Sequence, residues 1–456
     1  MTTTIPLDDR DLVASTGPGE PAALASIEAF LQTTLPPFFE LLEPDLPKHR
    51  GRPKVLQSLH LWLAVLLNIA RAKPGQREVW RTLLEWPSLV LRNFVLSDEA
   101  VYLRLNIPDT TILEAVFHHV YTVLEARIAR LAPPVRPLAA FATAVVAIDQ
   151  STLDKMARKL APLKGLRKGD PKLLAGKIAA LFDVRTQLWR TIIRVDNAVE
   201  NERRTAWALV EALARGTLVL ADMGYFGFAW FDALTEQGLW WVSRYRGKTS
   251  YQVTHTFFAR GETRDVLIWL GVHSTDRAKY AMRLVEFPVG DKLFQYLTNV
   301  LDPTILPLAE IARLYARRWD IEMAFNLIKT HLGLSELWSS KTNVIWQQIW
   351  GVLIVSQIVT ALRWEIAVRS EVDPFDVSLS LLVKYASQAA RRGEDVVEFF
   401  VRRGRELGYI RSSRRIAIQT PEILPEAIVP LPPGHPLTRI GRHSTPRDKP
   451  IVTHNE

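Results

Sequence analysis

No cysteine occurs in the 456 residues, which excludes a disulfide frame and a thiolate metal site and leaves the redox compartment unmarked. A phosphate-binding glycine loop, a dinucleotide fingerprint, an HExxH pair and a nucleophile elbow are missing too, which argues against a metabolic enzyme of those classes. Met1 to Pro21 is polar and acidic, without the basic-then-apolar order of a signal peptide. Clean long apolar runs are also lacking. Leu61 to Ala70 is too short to span a membrane, and Ile345 to Ala367 is interrupted by Gln347, Gln348, Ser356, Gln357, Arg363 and Glu365. Both are expected as buried helices of a soluble protein with no membrane partner.

What the chain does have is a net charge of +9 and a pI near 9.6. That balance favours a polyanionic partner or an anionic surface without choosing between them. The length suits two or three domains. From about Ala22 to Leu131 the spacing predicts helices over Val55–Ala72, Gln76–Trp86, Ser97–Leu105 and Asp109–Leu131, with Ser97 and Asp109 as N-caps. His49-Arg50-Gly51-Arg52-Pro53-Lys54 reads as a basic arm able to lie in a minor groove, its DNA contacts being Arg50, Arg52 and Lys54, or else as a solvated loop. The helix pair around Asn106-Ile107-Pro108 fits a helix-turn-helix or an ordinary bundle. Adjacent His118 and His119 point to different sides of a helix and are expected to be structural.

After a Pro133–Pro137 linker the grammar changes. Ala144 to Ile148 is a continuous apolar run ending in Asp149, as in a central strand buried on both faces. A Lys-rich loop from Lys155 to Lys172 follows, then a hairpin of Lys177–Asp183 and Gln187–Val195, and a helix opening at Asn197 or Glu200. Thr217 to Ala221 is a second apolar strand, and it ends in Asp222. Phe228–Glu236 should be a helix and Leu239–Arg244 a fifth strand. Four alternating runs then predict a small antiparallel meander: Ser250–Phe258, Asp265–Val272, Tyr280–Phe287 and Lys292–Thr298. Trp269 and Tyr296 in it are either core aromatics or platforms for an unpaired base.

Leu314 to Lys329 has no Pro or Gly, and its apolar residues recur at helical spacing. At about 100° per residue, Tyr315, Arg318, Glu322 and Lys329 share an arc of roughly 60° at the edge of the buried face. On spacing alone this could be a solvated face with an i,i+4 ion pair. The order Tyr, two residues, Arg, three residues, Glu, six residues, Lys, however, resembles the signature of the YREK group of bacterial insertion-sequence DDE transposases. Asp222-Met223-Gly224-Tyr225-Phe226 resembles the pattern around that group's second Asp.

The resemblance implies an α/β fold of RNase H-like type, with a mixed sheet, a β-rich insertion and helical N- and C-terminal regions. It implies that Asp149, Asp222 and Glu322 form a catalytic triad holding two Mg²⁺ or Mn²⁺ ions for in-line displacement at phosphorus. Tyr315, Arg318 and Lys329 would bind the flanking phosphates. The expected partners are double-stranded DNA, both transposon ends and target, held in a homodimeric complex in the bacterial cytoplasm at the nucleoid. A nuclease of the same fold without strand transfer, or an inactive transposase-derived DNA-binding protein, are the alternatives. Asp154 and Asp183 are the nearest substitutes should one carboxylate be misassigned.

Beyond Lys329 the spacing predicts helices over Val344–Val368 and Leu381–Leu407. Arg391, Arg392, Arg402, Arg403, Arg405, Arg411, Arg414 and Arg415 there form a phosphate-tracking patch or a solvated surface. The expected division is 1–21 disordered, 22–135 helical and DNA-binding, 140–335 catalytic with an insertion at 245–305, 336–415 helical, and 416–456 a Pro-rich flexible tail.

Overall fold

The protein is described as a computed structural model at residues 24–42, 56–85, 95–131, 137–153, 164–167, 176–197, 200, 202–272, 277–413 and 418–439. Its centre is a nine-stranded sheet: β1 (Val145–Thr152), β2 (Lys177–Asp183), β3 (Trp189–Val195), β4 (Leu218–Ala221), β5 (Trp240–Arg244), β6 (Tyr251–Arg260), β7 (Thr263–Leu270), β8 (Met282–Val289) and β9 (Lys292–Thr298). The strand order is 3-2-1-4-5-9-8-7-6. β1 to β3 form an antiparallel run, while β4 lies parallel to β1 and β5 parallel to β4. The five-strand half is the expected RNase H-like order, with strands one and four side by side. The insertion is not a separate meander, since β9 pairs antiparallel with β5 and the four strands prolong the same sheet. Without β9, the edge of β5 would expose unpaired backbone groups.

The helices are α1 (Ile27–Leu42), α2 (Ser58–Ala70), α3 (Gln76–Glu85), α4 (Asp98–Leu105), α5 (Thr111–Leu131), α6 (Glu202–Glu211), α7 (Phe228–Glu236), α8 (Leu308–Asn326), α9 (Thr342–Arg369), α10 (Leu379–Arg391) and α11 (Val396–Arg403). Strand alternation sorts the two faces. Val146, Ile148, Val219 and Ala221 pack with α6 and α7. Val145, Ala147, Leu218 and Leu220 belong to the opposite core, with α8 and the terminal helices.

The helices at the two ends of the chain share that core around α9. This helix is apolar on all sides and must be covered on all sides. It is the one helix among the described residues long and apolar enough to cross a membrane, and 89% of its most apolar window is buried inside the protein. At Gly351 a Cβ would stand 2.6 Å from Ile69 Cδ1, so the missing side chain sets how closely α2 approaches α9.

Several expectations are corrected here. The Asn106–Asp109 turn is tied to α9: Asn343 Nδ2 donates to the Asn106 carbonyl at 3.1 Å, and Gln347 Nε2 to the Ile107 and Asp109 carbonyls at 3.1 Å each. α5 then buries Leu113, Val116, Phe117, Val120, Leu124 and Ile128, so the pair packs as a bundle. The expected helix 381–407 breaks into α10 and α11, and Asp395 caps the second by accepting the Glu398 amide at 3.0 Å. The segment 418–439, expected to be flexible, lies along the insertion. Val429 N–H donates to the Phe257 carbonyl at 2.8 Å, and Arg439 N–H to the Lys279 carbonyl at 2.8 Å. Its Ile428 and Leu431 pack on the Phe257–Trp269 cluster, giving this Pro-rich text an apolar surface to follow. α1, which runs through Pro36 and Pro37, was not anticipated as an element.

Candidate active site

In the parallel ladder Ala147 pairs with Leu220, so Asp149 and Asp222, each two residues on, come level at the ends of neighbouring strands. Period-two alternation puts both on the face that α8 covers. Asp149 accepts the Gln150 amide at 2.8 Å, and Asp222 Oδ1 accepts the Gly224 amide at 2.8 Å.

α8 is oriented from its back. Asp320, buried, accepts Arg317 Nε at 2.6 Å and Gln187 Nε2 at 2.8 Å, while Arg317 Nη2 donates to the Val184 carbonyl at 2.9 Å. These bonds clamp the helix to the β2–β3 turn and leave its other edge, with Tyr315, Arg318 and Glu322, against the strand ends. Arg318 Nη2 donates to Glu322 Oε1 at 2.8 Å, and its Nε and Nη1 are buried without a well-formed hydrogen bond. Tyr315 packs against Tyr296 with ring centroids 4.8 Å apart and planes tilted by 47°. A wide turn, Leu327–His331, prolongs α8 and brings the Lys329 amine onto the Ser151 hydroxyl and, at 3.3 Å, the Thr152 carbonyl. Lys329 thus touches the end of β1.

The electrostatics register how near these groups are. Burial pushes the Asp149 carboxyl up to about 7, the charges of Asp222 and Glu322 push the same way, and the Gln150 amide and the Arg318 guanidinium oppose them. Burial also raises the Tyr225 phenol, helped by the charges of Asp149, Glu202 and Asp222.

Glu202 was missed by the sequence reading. A Cβ on Gly224 would stand 3.0 Å from both Asp222 Oδ1 and Glu202 Oε2, so these carboxylates flank one small space that residue 224 must leave open. Glu202 opens α6, and a carboxylate in a helix's first turn is ordinary enough to hide such a role. The Tyr225 hydroxyl and Gln150 Oε1 interact there, yet both are buried without a hydrogen bond of good geometry.

Hard carboxylate oxygens and the Gly224 cradle suit a divalent cation in donor chemistry. Among the described residues no three Asp, Glu or His side chains already stand close enough to enclose one, and Glu322 is turned onto Arg318. Asp183, the substitute candidate, lies opposite Val146 and accepts the Arg185 and Thr186 amides at 2.8 Å each, which makes it a hairpin-turn residue. Arg50, Arg52, Lys54 and Asp154 lie outside the described residues. Trp269 is 9% exposed and lies under Arg439, whose Cζ is 4.9 Å from the ring. Tyr296 is buried against Tyr315. Both are core aromatics rather than open stacking platforms. His119 stacks on Phe38 at 4.3 Å, a structural contact as expected.

Residues 144–358 match the family described as Transposase DDE domain. Among curated proteins the chain is 28% identical over 170 residues to the transposase InsG for insertion sequence element IS4 of Escherichia coli, covering 35% of this chain and 38% of that one. It is 23% identical over 207 residues to a provisionally named transposase, y4zB, of Sinorhizobium fredii, covering 44% of this chain and 57% of that one. The chain therefore spans roughly two fifths to three fifths of the length of these relatives. A solved structure, the piggyBac transposase synaptic complex with hairpin DNA, aligns over 84% of this chain and 80% of that one at 11% identity and a TM-score of 0.38. Residues 144–358 are thus similar to a transposase DDE domain, and parts of the chain are similar to two bacterial transposases.

Proposed function

We propose that this protein is a DNA transposase of the YREK kind that cuts double-stranded DNA at transposon ends and joins them to target DNA, working as a homodimer on two ends. The observation that carries the reading is that Asp149 and Asp222, far apart in sequence, come level at one end of the β1–β4 pair, and that the charges of Asp222 and Glu322 both act on Asp149. Asp149, Asp222 and Glu322, with Glu202 beside Asp222, would hold Mg²⁺ or Mn²⁺. The ions would supply Lewis-acid stabilisation and a nucleophilic oxygen at neutral pH.

The chain's own residues do the rest. Arg318, with two nitrogens free of well-formed hydrogen bonds, keeps a cation beside the carboxylates and offers a fork to a phosphate next to the scissile bond. Tyr315 backs it from the sheet side. Lys329 ties the end of α8 to β1 and places a second cation at the rim. Asp320 fixes the helix azimuth on which these roles depend.

The test is Mg²⁺-dependent cleavage of DNA carrying the element's own ends by the wild type and by Glu322→Gln, which keeps shape and removes charge. The expected result is a new 3′-hydroxyl only in the wild type, with DNA binding kept in both, followed by insertion of pre-cut ends. Equal cleavage by both proteins would remove Glu322 from the chemistry. Cleavage without insertion would make the protein a nuclease, and binding without cleavage a retired transposase.

A further inference from the structure

A second cationic feature lies behind α8, on the side away from Glu322. Arg363, on α9, is 4% exposed, and its Nε and Nη2 are buried without a hydrogen-bond partner among the described residues. Its guanidinium sits 4.9 Å from the Phe375 ring centroid, and that of Arg317 sits 4.4 Å from the same ring. Arg317 is satisfied by Asp320 and the Val184 carbonyl. Asp373 is the acid near enough to act on both, and its carboxylate already accepts the Phe375 amide at 2.8 Å. Burial and the neighbouring Arg317 hold the Arg363 guanidinium down to about 9, still protonated at neutral pH.

Desolvating a guanidinium costs several kcal/mol unless hydrogen bonds and an anion offset it. Within the fold Arg363 has neither in full. Both arginines line a cavity of about 1240 Å³ that runs beside α8 from Tyr315 and Arg244 to Ser378 and Ser380. A planar fork beside a second guanidinium, with the Ser378 and Ser380 hydroxyls in the same lining, matches a tetrahedral oxyanion better than a single carboxylate.

We propose that this cavity is a phosphate-binding site whose principal donor is Arg363, with Arg317 setting the positive field and Ser378 or Ser380 supplying hydroxyls. The phosphate comes either from a DNA strand passing Tyr315 or from free phosphate. Only the strand source rests on the transposase reading.

The test uses the full chain in EDTA, so that no metal at the carboxylates binds the anion. Inorganic phosphate is titrated against chloride at matched ionic strength, followed by thermal unfolding and by ³¹P line broadening. The wild type should show a saturable, phosphate-specific rise in melting temperature and a broadened phosphorus line. Arg363→Met should weaken binding by about tenfold or more, as the loss of a charge-assisted hydrogen bond would, whereas Glu322→Gln should bind phosphate like the wild type. The phosphorus signal needs only the wild type, so a poorly folding variant does not block the test. No phosphate response in the wild type overturns the proposal, and so does a response unchanged in Arg363→Met. A single-stranded oligonucleotide that displaces phosphate identifies the strand as the source; one that does not leaves free phosphate as the ligand. DNA cleavage with a silent phosphate titration sinks this site alone, and a phosphate response without cleavage sinks the transposase reading alone.

Discussion

Two arginines in this fold are equally hidden from solvent and differently treated. Arg283, in the β insertion, is 0% exposed and forms a fork with Asp265, Nε to Oδ1 and Nη2 to Oδ2 at 2.6 Å each, while Nη1 donates to the Leu306 carbonyl at 2.7 Å. Every arm of that guanidinium finds its acceptor inside the chain. Arg363 leaves two nitrogens without one, and Arg318 shares one bond with Glu322 while Nε and Nη1 make none of good geometry. A buried cation with all its acceptors present pins an element in place. A buried cation lacking them marks where the fold holds donors ready for something brought to it.

The comparison breaks most easily at Asp265. Asp265→Ala strands the Arg283 charge and should cost about 3–5 kcal/mol in chemical unfolding. Arg363→Met in phosphate-free buffer should cost much less or add stability, because a costly buried charge is removed and what is lost is the Phe375 ring contact and the pull of Asp373, not a hydrogen-bonded fork. A comparable loss in the two variants would end the distinction. For Arg318→Met the split should appear between stability and chemistry. Cleavage should fall about 10²–10³-fold, as for removal of one charge-stabilising donor, while unfolding shifts by no more than about 1 kcal/mol, because the partner Glu322 is half-exposed. Global destabilisation matching the Asp265 variant would make Arg318 a structural residue.

The sequence made the strand-level frame readable because the two central strands announced themselves by unbroken apolar runs and the insertion strands by alternation. Val145 to Ile148 and Leu218 to Ala221 are apolar on both faces because helices cover both. The helix edge with Tyr315, Arg318 and Glu322 was readable because 3.6-residue spacing survives into three dimensions. Pairings set by distant chain segments were hidden. Nothing in Lys292–Thr298 says that it will pair with β5, or in Pro425–Leu437 that it will run from β6 to the stretch just before β8. Glu202 was hidden for a related reason: its proximity to Asp222 arises where α6 begins, around the sheet edge, and local periodicity carries no trace of that. The unpaired state of Arg363 is likewise a property of packing, since in sequence it looked like one of several polar interruptions in an apolar helix.

The pH dependence sharpens the contrast between the tied and the open ends of the sheet. A carboxyl raised to about 7 in the folded protein binds more protons folded than unfolded between about pH 4 and 7. Stability of the metal-free protein should therefore fall as pH rises through that window, and the penalty is complete above it. Asp149→Asn removes the titration. At pH 8 in EDTA it should be about 2–4 kcal/mol more stable than the wild type, and the two should converge near pH 4. Parallel stability curves for the two proteins would show that burial and repulsion do not load this end of β1.

The smallest expected effect concerns the space at Gly224. If Glu202 joins Asp222 in holding a cation, Glu202→Gln should weaken Mn²⁺ binding by about tenfold, the cost of about 1.4 kcal/mol for one charged donor. Gly224→Ala should act the same way, because its Cβ would lie 3.0 Å from an oxygen of each carboxylate. Mn²⁺ uptake read by the loss of its free resonance signal, together with the Mn²⁺-dependent rise in melting temperature, measures this without DNA. In EDTA both variants should melt within a few degrees of the wild type, since neither removes a packed apolar group. If both variants bound Mn²⁺ as tightly as the wild type while Asp222→Asn did not, Glu202 would be a bystander at the sheet edge. The open backbone at residue 224 would then serve only the turn that brings Asp222 to its place.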